Sequence, residues 1–305
     1  MDTLWQDLKI GWRSLWRTPA FACVVVLILG LGIGANTVIF NITNAFLVRS
    51  WPYMDFQRNA LIRGVDKRAG ENALEISHPD FIDMRARLKS FEHVAAYTGT
   101  QAYMTLGKEP ERFRASWVTP GLFATFGATP VLGREFLPEE EERARALTVI
   151  IIGHRIWKER FQSDPRIIGR TVKMNGRVRQ IVGVAPPQFR FPETADFFIP
   201  SYYEPAEDTR RQRYLNVVGR LKKGVSFAQA NAEVAALGED LGRQYPDADG
   251  GTTLRVSTFR EFAAEDMGPV LALLMAAVGF VLLIVCANVA NLLLARGAGR
   301  PRGVA

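Results

Sequence analysis

The sequence predicts a membrane protein in which two transmembrane α-helices flank an α+β domain. Three observations carry this. No Asp, Glu, Lys or Arg occurs from Thr18 to Val48, a run of 31 residues. None occurs from Met267 to Ala295, a run of 29. A membrane-spanning helix needs about 20 mainly apolar residues, and both runs exceed that. Between them lie 218 residues, Arg49 to Asp266, in which helical and strand patterns alternate. The whole chain of 305 residues averages 48% hydrophobic and 23% charged, with mean hydropathy +0.01, a soluble-looking mean that hides the segregation. The distribution excludes a soluble enzyme, a disordered chain and a many-helix transporter contained in this chain alone.

Charge sets the orientation. The net +7 divides as +1 over residues 1–17, +3 over 296–305 and +3 over the insert. The insert is therefore close to balanced. It shows no Lys/Arg stripe interleaved with aromatics, so no nucleic-acid partner is expected. Lys9, Arg13, Arg17, Arg296, Arg300 and Arg302 place both ends in the cytoplasm, with Arg49 alone opposing. Residues 49–266 are then expected outside the cytoplasmic membrane; the periplasm of a double-membraned bacterium suits them, with the chain a multi-pass protein of the inner membrane. The two cysteines, Cys23 and Cys286, fall in the apolar runs, so the insert folds without disulfides. The first run continues through Val38 to Val48, beyond a signal-peptide core, and reads as an uncleaved anchor.

Residues 1–17 read as an amphipathic helix, with Leu4, Trp5, Leu8, Trp12, Leu15 and Trp16 at three- and four-residue spacing. Trp5, Trp12 and Trp16 beside Lys9, Arg13 and Arg17 suit anchors at the lipid interface; a helix packed on a protein partner is the alternative. The first span, 18–48, holds Gly30 and Gly34, a small-xxx-small pair that admits a close helix. Its G-x-G-x-G spacing is no dinucleotide loop, because a strand–turn–helix context is lacking. Asn36, Asn41 and Asn44 follow, and Asn288 and Asn291 sit three apart in the second span, 267–295. Asparagine in a span needs a partner. Two readings remain open: hydrogen bonds between helices of a bundle, or a polar path.

The insert reads as mixed α and β. His78–Leu88 is a helix opened by Ser77 and Pro79, with Phe81, Met84 and Leu88 on one face. Arg112–Thr119 alternates as a strand. Thr119 as N-cap, Pro120 and Gly127 bracket a short helix. Leu147–Ile152 is a buried strand. Thr171–Val184 is a hairpin about Asn175-Gly176, the favoured two-residue turn. Leu215–Leu221 is a strand, Ser226 with Gln229 is a capping box, and Phe227, Ala230, Val234, Leu237 and Leu241 form one helical stripe. Thr252–Thr258 is the last strand. The acidic run Glu139–Glu142 caps a solvated helix start, with cation binding as the lesser reading.

Chemistry-bearing motifs are missing. The sequence has no phosphate loop, no G-x-S-x-G, no H-E-x-x-H and no C-x-x-C. His78, His93 and His154 are scattered and read as capping or surface residues. No catalytic residue, metal ligand or cofactor is expected.

The motifs resemble those of MacB/FtsX-like ABC transporter permeases, in particular the large group described from acidobacteria. Leu31-Gly-Ile-Gly-Ala-Asn-Thr-Val-Ile-Phe40 is similar to that family's first span. Ser77-His-Pro-Asp-Phe81, Gly133-Arg-Glu-Phe136, Gly153-His-Arg-Ile-Trp157, Asn175-Gly176, Val182-Gly-Val-Ala-Pro-Pro187 and Arg220-Leu-Lys-Lys-Gly-Val225 follow in the family's order. Val281-Leu-Leu-Ile-Val-Cys-Ala-Asn-Val-Ala-Asn-Leu-Leu-Leu-Ala-Arg296 is the most specific. The resemblance implies a MacB-like periplasmic core domain over 49–266, with a porter-like part at 50–110 and 210–266 and a smaller β-rich insert at 111–209. It also implies an ABC permease subunit that transmits the motion of a cytoplasmic ATPase to the periplasm. The partners implied are that ATPase, a second permease copy, a periplasmic adaptor and membrane lipid.

Family members continue beyond the second span with a coupling segment and two further spans. Here the tail 296–305 reads Arg-Gly-Ala-Gly-Arg-Pro-Arg-Gly-Val-Ala, an expectation of a truncated product or an N-terminal fragment. The reading of another class is a two-span receptor or scaffold with an external binding domain. Nothing in the insert selects a substrate.

Overall fold

The computed structural model describes residues 55, 57–66, 72–105, 109–189, 191 and 195–298, together with Gly30, Ile33, Gly34 and Thr37. The side chains at 72 and 73 and at several positions of the last helix lie outside that description. So do the expected interfacial helix with Trp5, Trp12 and Trp16, most of the first apolar run with Asn36, and residues 299–305. The chain divides into two compact units, Ser50–Phe262 and the flanks Met1–Arg49 with Ala263–Ala305.

The unit Ser50–Phe262 is built on β1 (Asn59–Asp66), β2 (Asn72–Leu74), β3 (Ile76–Ser77), β4 (Phe91–Thr105), β5 (Pro110–Val118), β6 (Leu132–Gly133), β7 (Val149–Ile152), β8 (Thr171–Met174), β9 (Arg177–Val184), β10 (Phe197–Pro200), β11 (Arg213–Leu221) and β12 (Thr252–Ser257). They pair in the order β12-β1-β11-β4-β5-β10-β7-β9-β6, with β2 on β1 and β3 on β11. β8 pairs with both β4 and β9. That double pairing closes β4, β5, β10, β7, β9 and β8 into a six-stranded ring. A ring this small is filled by its own side chains. Met104, Phe113, Ile150, Met174, Ile181, Phe197 and Ile199 supply that filling.

The long strand β4 belongs to two layers. Its first half pairs with β11 in an open antiparallel sheet, and its second half forms part of the ring. α1 (His78–Arg87) and α5 (Phe227–Gln244), which follows α2 (Leu122–Thr125) and the short α3 (Arg143–Ala146) and α4 (His154–Phe161) in the chain, cover one face of the open sheet. Phe81, Met84 and Leu88 are buried as the sequence predicts, as are Ala230, Val234, Leu237 and Leu241. Ser77 caps α1 by accepting from the Asp80 N–H at 3.2 Å. Ser226 and Gln229 form the expected reciprocal box. The edge strand β12 is closed off by α5: Asn231 Oδ1 accepts from the Val256 N–H at 2.8 Å.

The hairpin of β8 and β9 turns at Asn175 (φ 50°) and Gly176 (φ 76°), both left-handed, as a type I′ turn requires. The short helix α2 (Leu122–Thr125) corrects one expectation. Its N-cap is Gly121 at φ 89°, not Thr119. The Thr119 hydroxyl oxygen instead accepts from the buried Ala96 N–H at 2.8 Å, tying the end of β5 back to β4. Gly127, at φ 65°, follows the helix as expected.

In the second unit, Gly30 and Gly34 lie on helical, exposed backbone, and among the described residues nothing approaches within 4 Å of a Cβ at either position. α7 runs from Phe259 to Ala298, 40 residues with Pro269 inside. Asn288 and Asn291 lie on this helix. Its described side chains are largely exposed, among them Leu273, Phe280, Leu283 and Ile284. Among the described residues, no helix is long and apolar enough to cross a membrane.

Candidate functional site

Where the polypeptide reaches and leaves the core domain, both connections meet the C-terminal end of α2, and the incoming one also meets the end of β11. On the incoming side, Asn59 is 1% exposed. Its Nδ2 donates to the Thr125 carbonyl at 2.7 Å, and its Oδ1 accepts from the Asp55 N–H at 3.1 Å. Arg58 donates to the Leu221 carbonyl at 2.7 and 2.9 Å and pairs with Glu92 at 2.5 Å. Arg220 reaches the same Thr125 carbonyl at 3.3 Å and Asp55 at 3.5 Å. The last turn of α2 thus has its open carbonyl satisfied by the incoming segment.

On the outgoing side, Thr258 Oγ1 accepts from the Glu261 N–H at 3.0 Å, and Glu261 Oε2 accepts from the Thr258 N–H at 2.8 Å. This second capping box starts α7. The first residue of that helix, Phe259, lies against Phe126 (6.1 Å between centroids) and Phe191 (5.8 Å). Those rings continue through Phe189 to Phe123 and Phe198 in one aromatic cluster. Phe262 lies 5.1 Å below the Arg63 guanidinium. At α2's other end, Glu135 accepts from the Phe123 N–H at 2.9 Å. Burial pushes the Glu135 carboxyl up, and the backbone N–H groups of α2 pull it partly back.

A second polar cluster holds the segment returning from the ring to β11. Arg210 pairs with Asp80 and, at 2.6 Å, with Asp83, both on α1. Its guanidinium lies 3.7 Å over the Tyr245 ring. Arg213 pairs with Asp249 at 2.6 Å, in α6 (Pro246–Asp249). Burial, with the Asp80 charge adding, pushes the Asp249 carboxyl up to about 6. Tyr214 donates to Asp208 at 2.6 Å and lies 3.3 Å from His78 Nδ1. Burial holds the His78 imidazole below its ordinary value, against the raising effect of Asp208. One cluster therefore ties α1, α6 and the 208–214 segment together through buried charge. Such contacts are directional and fail as a set when one member is removed.

Two expectations are corrected by this geometry. His78 is neither a cap nor a surface residue: it is 4% exposed and packed against Tyr203 and Phe81. The acidic run is not uniformly solvated. Glu140 is buried, with both carboxylate oxygens on Arg134 at 2.6 and 2.9 Å. Burial opposes its charge, but Arg134 and the Leu137 N–H hold the carboxyl below its ordinary value. Among the described residues, no group of His, Cys, Asp and Glu is placed to hold a metal ion. The expected packing residues Gly30, Gly34, Asn288 and Asn291 lie outside this domain, and the seat was missed. Its signal was the Thr258-x-x-Glu261 spacing directly after a strand.

The fold and the seat define an α+β domain whose two connections leave side by side. Residues 22–237 match the MacB-like periplasmic core domain family, and the chain belongs to it. The periplasmic region of MacB from Actinobacillus actinomycetemcomitans is similar in fold, with TM-score 0.52 at 14% identity over 71% of this chain and 95% of that one. A domain of a putative permease protein from Porphyromonas gingivalis aligns with TM-score 0.48 at 14% identity, over 69% of this chain and 92% of that one. The extracellular domain of the noncanonic ABC-type transporter YknZ from Gram-positive bacteria aligns with TM-score 0.47 at 12% identity, over 66% and 100%. No curated protein matches the chain. The resemblance to MacB/FtsX-like permeases read from the sequence holds.

Proposed function

We propose that the chain is the permease component of a MacB/FtsX-like ABC exporter, in which its core domain carries ATP-driven motion into the periplasm. Family membership over residues 22–237 carries this reading. ATP hydrolysis is assigned to a cytoplasmic ABC ATPase partner, because residues 1–305 themselves carry no phosphate loop. The two spans, 18–48 and 267–295, anchor the domain. The second span is supported by the uncharged run 267–295 within α7 and by Leu273, Phe280, Leu283 and Ile284, which are exposed along it. Gly30, Gly34, Asn36, Asn288 and Asn291 pack it against further helices, a second copy included, and Trp5, Trp12 and Trp16 rest at the cytoplasmic lipid interface. The division into a porter-like part (50–110 and 210–266) and an insert (111–209) is supported by the ring, five of whose six strands come from 110–200. A periplasmic adaptor completes the proposed assembly.

Alkaline extraction of membranes and co-purification with the ABC ATPase encoded nearest the gene test this together. The chain stays with the membrane, and the ATPase co-purifies and changes its hydrolysis rate. Release by alkali would remove the membrane reading. Membrane retention with no ATPase bound would favour the receptor or scaffold.

A further inference from the structure

We propose that the outer face of the six-stranded ring is a docking surface for an acidic protein partner. The strand register puts a defined set of side chains there. Tyr103 lies opposite Arg112 and Gln101 opposite Arg114 across β4 and β5. Thr105 lies opposite Lys173 across β4 and β8, and Lys173 opposite Val178 across β8 and β9. Directly opposed residues share a face, so these side chains form one continuous outer surface. The alternate positions, Ala102, Met104, Phe113, Ala115, Val172 and Met174, point into the ring.

Three features distinguish this surface from an ordinary solvated sheet face. First, its cations have no ion-pair partner among the described residues. Arg112, Arg114 and Lys173 are exposed and take part in none of the described ion pairs. Several arginines elsewhere in the domain are paired: Arg155 with Asp196, Arg160 with Glu111 and Arg143 with Glu204. Second, no carboxylate of the four strands shares the face, because Glu111 occupies an inward position of β5 and turns to Arg160. Third, large apolar groups are set among the cations, with Tyr103 52% and Val178 64% exposed. Arginine and tyrosine together are enriched at protein interfaces. Gln101, Thr105, Thr171 and Gln180 add directional hydrogen-bonding groups, which suit a fixed protein surface better than mobile headgroups. The side of the ring that includes Ile151 and Phe198 is already packed in the aromatic cluster, so this is the side left to meet a partner.

The test uses the full chain in neutral-lipid nanodiscs and fluorescent poly-L-glutamate at low salt. Binding is expected and weakens as salt shortens the screening length. The double variant Arg112→Glu, Lys173→Glu weakens it about tenfold. Tyr103→Ala weakens it without changing charge. Lys222→Glu with Lys223→Glu, exposed cations elsewhere, leaves it unchanged. Melting temperatures check that all variants fold, which exposed positions favour. Equal loss in both double variants would mean that net charge alone binds, and would overturn the proposal. Capture of phosphatidylglycerol vesicles without binding of polyglutamate would also overturn it, in favour of an anionic membrane.

Discussion

Asn59 shows how much of the seat rests on one side chain. It is buried, donates to the last turn of α2 and accepts from the backbone of Asp55, so both ends of its amide are used. Replacing it with alanine leaves the Asp55 N–H without this acceptor and the Thr125 carbonyl with only the longer Arg220 contact. Asn59→Ala is expected to lower stability by about 1–3 kcal/mol, or about 2–10 °C in melting temperature. Calorimetry of the variant checks this, and an unchanged transition would show that the seat holds without the asparagine. The sequence does not announce this residue. A single Asn before an apolar strand looks like a turn residue, and its partner lies 66 positions away. His78 is hidden for the same reason: its partner Tyr214 lies 136 positions away.

At the scale of elements, local chemistry was legible wherever it was self-contained. The Ser226–Gln229 capping box, the Asn175-Gly176 hairpin and the stripes of α1 and α5 all stand where spacing puts them. β4 was not legible, because its burial pattern changes as it passes from open sheet to ring, and no single period survives. The cluster joining α1, α6 and the 208–214 segment has a pH signature. Asp249 has a folded pKa of about 6, above its ordinary value near 3.8. The folded state therefore holds the proton more tightly, and Asp249's contribution to stability is full below about pH 3.8 and lost as pH rises through 6. His78 runs the other way: its lowered folded pKa gives a contribution present above 6.5 and lost as pH falls below it. Asp249→Asn removes the first dependence only. The stability of the variant relative to the native chain is expected to rise between pH 4 and 7 and to level off above, as read from melting curves in matched buffers. A flat difference across that range would show that Asp249 keeps an ordinary pKa.

For the whole molecule, the unit Ser50–Phe262 contains three buried clusters of its own and keeps both connections on one seat. A polypeptide of residues 50–262 is expected to fold without its flanks and to unfold in a single cooperative transition by circular dichroism. A broad, non-cooperative melt would show that the flanks are needed to hold the seat. At this scale the sequence reveals the segregation of apolar runs from a balanced insert, and the motif order points to the family. The closed ring stays hidden, because it depends on one short strand, β8, pairing on both sides, and its partner β4 is 66 residues or more away in sequence.

The treatment of the sheet margins constrains how crowded copies can meet. Asn231 occupies an outward amide of β12, and the opposite margin, β6, is only two residues long. Among the described residues, these two devices interrupt the backbone ladder that each rim would otherwise present to another strand. Neighbours must therefore recognise each other through side-chain chemistry, which mutation can retune one position at a time, and not through backbone ladders that any extended chain could imitate.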